Sequence, residues 1–191
     1  MLNLFENMGI HIKKRTWLKG LAALITLPFI SSYPRELGAE QQRSTKIKID
    51  PITVAPLNKP HEAWRSLLSP EAYQVLFGED TEPPESNPLN QEYRDGIYIC
   101  AACYLPLFDS KHKYDSGTGW PSFTQPISGH IGTKRDFMLI WPRTEYHCAR
   151  CEGHQGHVFN DGPPPRGERW CNNGLALRFI PKEEALPELR G

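Results

Sequence analysis

Gly96-Ile97-Tyr98-Ile99-Cys100-Ala101-Ala102-Cys103 decides the fold. A short run of β-branched and aromatic residues with no helical period reads as a strand. It leads directly into a C-x-x-C pair. The same arrangement recurs where Thr144-Glu145-Tyr146 leads into Cys148-Ala149-Arg150-Cys151. Two cysteines three apart on a tight turn can aim two thiolates at one ion. Two such pairs with a long insertion between them have the spacing of a structural zinc site. That reading gives one zinc per chain, held by Cys100, Cys103, Cys148 and Cys151. Disulfides, or one thioredoxin-like redox pair, are the other readings. No βαβ pattern flanks either pair, which counts against thioredoxin. Four thiolates leave no open metal position, which counts against a zinc-dependent hydrolase.

Outward from these pairs, further strands are expected over Phe137 to Trp141 and Thr144 to Tyr146, separated by Pro142. Another runs from Trp170 to Ile180. In that last run Leu175, Leu177 and Phe179 alternate against Ala176 and Arg178, and Asn172-Asn173-Gly174 is a place for a bend or bulge. Upstream, Trp64, Leu67 and Leu68 fall on one face of a short helix. Ser69-Pro70-Glu71 starts a second helix with a hydroxyl cap, a proline at the first position and an acid in the first turn. Tyr73, Leu76 and Phe77 form its apolar face and Gly78 its stop. Thr81 to Asp95, with Pro83, Pro84 and Pro88, reads as loop. Short strands and Gly/Pro-rich turns argue for a mainly β, antiparallel architecture with helices at one end.

The domain so defined spans residues 61–181, with a C-terminal tail over 182–191 and a proline-punctuated linker over 40–60. Residues 1–39 read as an export signal: Lys13, Lys14, Arg15 and Lys19 precede an apolar run, Gly20 to Ile30, too short to span a bilayer. Lys14-Arg15-Thr16-Trp17-Leu18-Lys19 resembles a twin-arginine signal with lysine in the first arginine's place. The expectation is an envelope compartment such as the periplasm. An uncleaved N-terminal membrane anchor is the other reading, and sequencing the mature N-terminus decides between them. Lys+Arg and Asp+Glu both number 22, so no basic excess argues for a nucleic-acid partner.

Of five cysteines, Cys171 is left over, which makes it a candidate nucleophile. Arg169, Cys171 and Asn173 share one face if Arg169-Trp170-Cys171-Asn172-Asn173 is extended. The arginine would favour a thiolate, and the asparagine could orient a polar substrate group. His154 and His157, three apart in Gly153 to Asn160, offer a group able to hold a proton near neutral pH, one acting as acid and the other orienting it. Structural histidines are the plainer reading. That is how His61, His112, His130 and His147 are read. Tyr114 to Phe123 is a glycine-shaped loop ending in aromatics, whose faces suit a polarizable methyl-sulfur group. The plainer reading of Trp120 is core.

Together these stretches resemble the B-type methionine sulfoxide reductases, which act on the R epimer of methionine sulfoxide. The likeness is carried by Gly96 to Cys103, Asp115 to Phe123, Arg150 to Phe159, Asp161-Gly162-Pro163-Pro164-Pro165 and Gly167 to Cys171, and runs from about Trp64 to Phe179. The resemblance implies two antiparallel β-sheets with N-terminal helices and a zinc on the four paired cysteines. It implies an oxidoreductase that repairs oxidised methionine in proteins or peptides. Cys171 would be the nucleophile, His157 the acid, and His154, Arg169 and Asn173 would surround the substrate, with Trp120 and Phe159 binding it. A thioredoxin-like protein or small thiol would be the reductant, and a monomer is the default. Three departures stand out. Thr118 occupies a position where many members carry a resolving cysteine, Glu85 follows Thr81-Glu82-Pro83-Pro84 where an aromatic is usual, and Gly174 replaces a serine. The competing function is a non-catalytic zinc-ribbon-like binding module, in which Cys171 is inert.

Overall fold

A computed structural model describes residues 54–136 and 143–191 of the chain. The N-terminal segment 1–39, most of the 40–60 linker, and the strand expected over Phe137 to Trp141 with Pro142 lie outside the described residues. The strands are β1 (Gly96–Cys100), β2 (Pro106–Asp109), β3 (Lys113–Tyr114), β4 (Ser122–Phe123), β5 (Ile131–Asp136), β6 (Arg143–Cys148), β7 (His154–Phe159), β8 (Arg169–Asn172) and β9 (Leu177–Pro181). They form two sheets, β2-β1-β9 and β3-β4-β8-β7-β6-β5. Every pairing is antiparallel. The mainly β, two-sheet expectation is met.

Each sheet follows from its side chains. β1 is the central strand of the small sheet and is buried along its whole length. Ile97 and Ile99 pack with Ile180 on one side. Tyr98 turns the other way, to Phe123 at 4.9 Å between ring centroids. A strand buried on both faces needs the unbroken apolar run seen in its sequence. The large sheet is two-sided. Phe123, Trp170 and Val158 are directly opposite neighbours across β4, β8 and β7 and belong with Tyr146 to the aromatic core. Phe108 stacks on Phe123 at 4.2 Å, and Tyr146 meets the Trp170 edge at 5.1 Å. The alternate residues of the same strands make the other, polar face.

The single α-helix among the described residues, α1 (Pro70–Gly78), begins as expected: the Ser69 hydroxyl accepts the Ala72 amide. It ends at Gly78, as expected, with Glu79 at φ 56° taking the left-handed cap position after it. The first expected helix is a 3-10 turn, His61–Trp64. Trp64 is buried, but Leu67 stays 41% exposed.

The expected strand from Trp170 to Ile180 is two strands in different sheets. β8 belongs to the large sheet and β9 to the small one. The 3-10 turn Gly174–Ala176 joins them. The alternation read across the break slips as a result, and Ala176 and Leu177 are both buried. The tail folds back rather than trailing away. Arg190 donates to the carbonyls of Ala102 and Ala101, and Arg150 donates to the Arg190 carbonyl.

Candidate active site

The two cysteine pairs close on each other. Sγ of Cys100 lies 3.6 Å from that of Cys151, and Sγ of Cys103 lies 3.5 Å from that of Cys148. All four sulfurs sit within 4.8 Å of one another, buried. A tetrahedral ion with Zn–S bonds of about 2.3 Å needs sulfurs about 3.8 Å apart, so the donor set fits zinc. The two knuckles are built alike. Tyr104 donates its amide to the Cys100 carbonyl, and Glu152 to that of Cys148. Each of these donors is a non-glycine residue at positive φ, 65° and 60°. Gln155 adds an amide donor to Cys100 Sγ at 3.6 Å. All five cysteines are free thiols, so the disulfide reading does not describe this structure.

Cys171 is outside that cluster and half-buried on β8. It sits directly opposite His157 on β7 and opposite Ser122 on β4. Residues facing each other across paired strands have Cβ atoms about 4.5–5.5 Å apart on the same face. His157 in turn faces Glu145 on β6. A single row across the sheet therefore brings Glu145, His157, Cys171 and Ser122 together. One step along β8 and β7, Arg169 faces Phe159, with its guanidinium 4.2 Å from the ring centroid.

His154 and His157 are an odd number of residues apart, so a regular strand would send them to opposite faces. The β6–β7 register shifts by one between Tyr146 and His147, making Gln155 the extra residue. This bulge returns His154 to the His157 side. The rings stand edge-to-face with centroids 5.4 Å apart. Neither histidine bonds the other. His154 Nδ1 donates to Glu145 Oε1 at 2.8 Å, and His157 Nε2 donates to Asp136 Oδ2 at 2.9 Å. Carboxylates orient both rings, which corrects the expectation that one histidine orients the other.

Electrostatics at the site are set by burial first. Burial raises the Cys171 thiol above its ordinary value; the Arg169 guanidinium and the Thr118 hydroxyl pull it down by less. Arg169 is itself tied to Asp161 by two bonds of 2.8 and 2.9 Å. Asp161 works against the thiolate. The expected push of Arg169 toward the thiolate is thus present but outweighed. Burial likewise lowers His157, with the Asp136 bond opposing it. Asp136 Oδ2 also accepts from Arg143 at 2.7 Å, which blunts its pull on the imidazole. Both shifts favour the uncharged forms, a thiol beside a neutral imidazole.

A cleft of about 120 Å³ opens over this pair, lined by Thr81, Trp120, Arg143, Gly156, His157, Phe159, Cys171, Asn172 and Asn173. Most of the expected site residues meet here. His154, 2% exposed, and Arg169, 6% exposed, do not line the cleft. Trp120 is a wall of the cleft rather than core, and its indole nitrogen donates to the Glu82 carbonyl at 3.0 Å. Asn173 is pinned from both ends: its oxygen accepts the Glu82 amide, and its nitrogen donates to the Gln155 carbonyl. Glu85 is exposed and does not line the cleft, so that edge has no aromatic wall. Gly174 has a packing reason. A Cβ there would fall 2.3 Å from Asn87 Cγ, so a serine would displace Asn87.

Sequence reasoning missed Glu82, Asp136, Glu145 and Asp161 as members of the site. None lies at a diagnostic spacing from its partner. Asp136 and Glu145 reach the histidines only through strand pairing, and Glu82 stands 91 residues from Asn173.

A SelR domain model matches residues 68–181. "Peptide methionine sulfoxide reductase MsrB" of Pseudomonas entomophila (strain L48) is 49% identical over 128 residues, covering 66% of this chain and 98% of that relative. The protein of the same name from Bradyrhizobium diazoefficiens is 50% identical over 125 residues, covering 65% and 90%. That of Thioalkalivibrio sulfidiphilus is 51% identical over 119 residues, covering 62% and 87%. The match spans both knuckles, the cleft and the Cys171–His157 pair, so the chain belongs to the SelR-domain family, that of the MsrB-type peptide methionine sulfoxide reductases, which are oxidoreductases.

Proposed function

We propose that this protein reduces the R epimer of methionine sulfoxide in proteins or peptides, through a sulfenic acid on Cys171. The observation that carries the reading is the cross-strand Cys171–His157 pair opening onto a cleft walled by Trp120. The Cys171 sulfur attacks the sulfoxide sulfur. The sulfur–sulfur bond so formed and the original sulfur–oxygen bond both break as the oxygen passes to the Cys171 sulfur, and methionine leaves as the thioether. His157 supplies a proton to the oxygen as it gains charge; with Nε2–H committed to Asp136, Nδ1 is the atom that takes the second proton. The net change is thiol plus sulfoxide to sulfenic acid plus methionine. Two external thiols then return Cys171 to the thiol, releasing water and a disulfide. The reductant is external because the other four cysteines form a buried cluster that could hold a metal ion and Thr118 carries no thiol. Cys100, Cys103, Cys148 and Cys151 would hold the zinc, which would supply structure only. Trp120 and Phe159 hold the methyl-sulfur end of the substrate.

One turnover without reductant should leave Cys171 heavier by a single oxygen atom, detected by mass spectrometry of the intact chain. An internal disulfide to Cys171 instead would overturn the external-thiol step.

The proton count gives a pH prediction. Neutral thiol and neutral imidazole share one transferable proton, and the reacting thiolate–imidazolium pair holds the same total. His157 is depressed below 6.5 and Cys171 raised above 9.0. kcat/KM should therefore be level between those values. It should fall on the acid side as His157 gains a proton before transfer, and on the alkaline side as Cys171 loses its own. A steep limb inside that window would contradict the shared-proton scheme. His157→Gln should lower kcat/KM by about 10²–10⁴-fold, the usual worth of a positioned acid.

A further inference from the structure

Glu82 is 4% exposed and forms no ion pair among the described residues. A buried carboxylate without a cation needs several hydrogen bonds to persist. Its Oε1 accepts the Gly174 amide at 2.7 Å and its Oε2 the Leu175 amide at 2.8 Å. The Asn87 side-chain amide reaches Oε2 at 3.5 Å. The backbone of the same residue bonds both edges of the cleft. Its amide donates to Asn173 Oδ1 at 3.2 Å, and its carbonyl accepts from Trp120 Nε1 at 3.0 Å. Three stretches far apart in sequence, around positions 82, 120 and 173–175, meet at this one residue, through its backbone and its carboxylate together. Nothing else in the proposed chemistry requires an acid there. The reacting pair is held separately, by β7–β8 pairing in which Glu82 has no part.

We propose that Glu82 is the positioning residue that fixes the distance between the Trp120 wall and the Asn173 edge of the cleft, and so sets how tightly the sulfoxide side chain is bound. This rests on the methionine sulfoxide reading above. The carboxylate anchors the turn after Asn173, and the anchored backbone presents one acceptor to Trp120 and one donor to Asn173. Glu82→Gln keeps the size but turns an NH₂ group toward a backbone N–H. Two donors then face each other, and the turn must shift.

The test is steady-state kinetics on a blocked methionine-R-sulfoxide with dithiothreitol, together with thermal melting, for wild type, Glu82→Gln and Glu82→Asp. Glu82→Gln should raise KM about tenfold with kcat changed less than about twofold, the pattern of lost uniform binding. Glu82→Asp, which keeps the charge, should recover part of the KM. In a Trp120→Phe background, which already lacks the indole bond, Glu82→Gln should raise KM less than it does alone. A folded Glu82→Gln protein with unchanged KM overturns the inference. So does a loss confined to kcat. If both Glu82 variants melt below the assay temperature, Glu82 is a stability residue and the inference is likewise overturned. An inactive wild type is a different outcome, and sinks the functional reading itself.

Discussion

Cys171→Ser is expected to abolish turnover while leaving the fold intact. On separated epimers of a blocked methionine sulfoxide with dithiothreitol, wild type should consume R alone. The variant should lose on the order of 10⁴-fold or more in kcat, the scale on which removing a sole nucleophile acts. The serine hydroxyl cannot replace the sulfur, because it is a far weaker nucleophile and cannot carry oxygen as a sulfenic acid. Stability should change little. Cys171 is half-buried on a strand whose backbone pairs with Ser122 and His157 whichever side chain it carries. The Tyr146 hydroxyl bond to the Cys171 carbonyl also survives. Equal melting temperatures with activity lost would separate chemistry from folding. Activity on R that persists in the variant would remove Cys171 from the mechanism. No activity on either epimer from wild type with zinc bound would return the chain to the binding-module reading.

Metal removal should have the largest effect on stability. The four buried thiols lie at the ends of β1 and β6, so a zinc held by them would clamp the small sheet to the large one. Structural zinc is worth roughly 10–16 kcal/mol in small zinc peptides. That is comparable to the roughly 5–15 kcal/mol by which a whole domain is stable. Stripping zinc under reducing conditions should therefore abolish or drastically lower the cooperative melting transition. Re-adding zinc should restore it. Cys103→Ser should have a similar effect, since one lost ligand leaves three thiolates crowded in a buried site. The wild-type protein should contain one zinc per chain by elemental analysis. A chelated, demonstrably metal-free protein with an unchanged melting curve would end the structural-zinc reading.

The strongest signals in the sequence were local, because the physics behind them is local. A C-x-x-C turn, a Ser-Pro-Glu helix start and an apolar run such as Ile97-Tyr98-Ile99 constrain only their own few residues. Each reappears in the structure where it was expected. β5 gave no such signal. Ile131-Gly132-Thr133-Lys134-Arg135-Asp136 is polar and mostly exposed or half-buried, and it is a strand because β6 offers it an edge. β7 was legible as a histidine motif, not as a strand. The expected run from Trp170 to Ile180 crosses from one sheet to the other, and no alternation pattern records which sheet a strand joins.

Sequence alone determined the parts list: four thiols for an ion, a lone fifth sulfur, two histidines, an aromatic loop and an arginine beside the nucleophile. Tertiary structure decided how they act on one another. Strand pairing set His157 opposite Cys171, and the Gln155 bulge turned His154 to the same face. Burial outweighed Arg169 and favours the Cys171 thiol over the thiolate. Asp136, Glu145 and Glu82 gained their partners only when distant strands and loops met. Hydrogen bonds and desolvation depend on distance in space, and spacing along the chain carries that distance only within a turn or two.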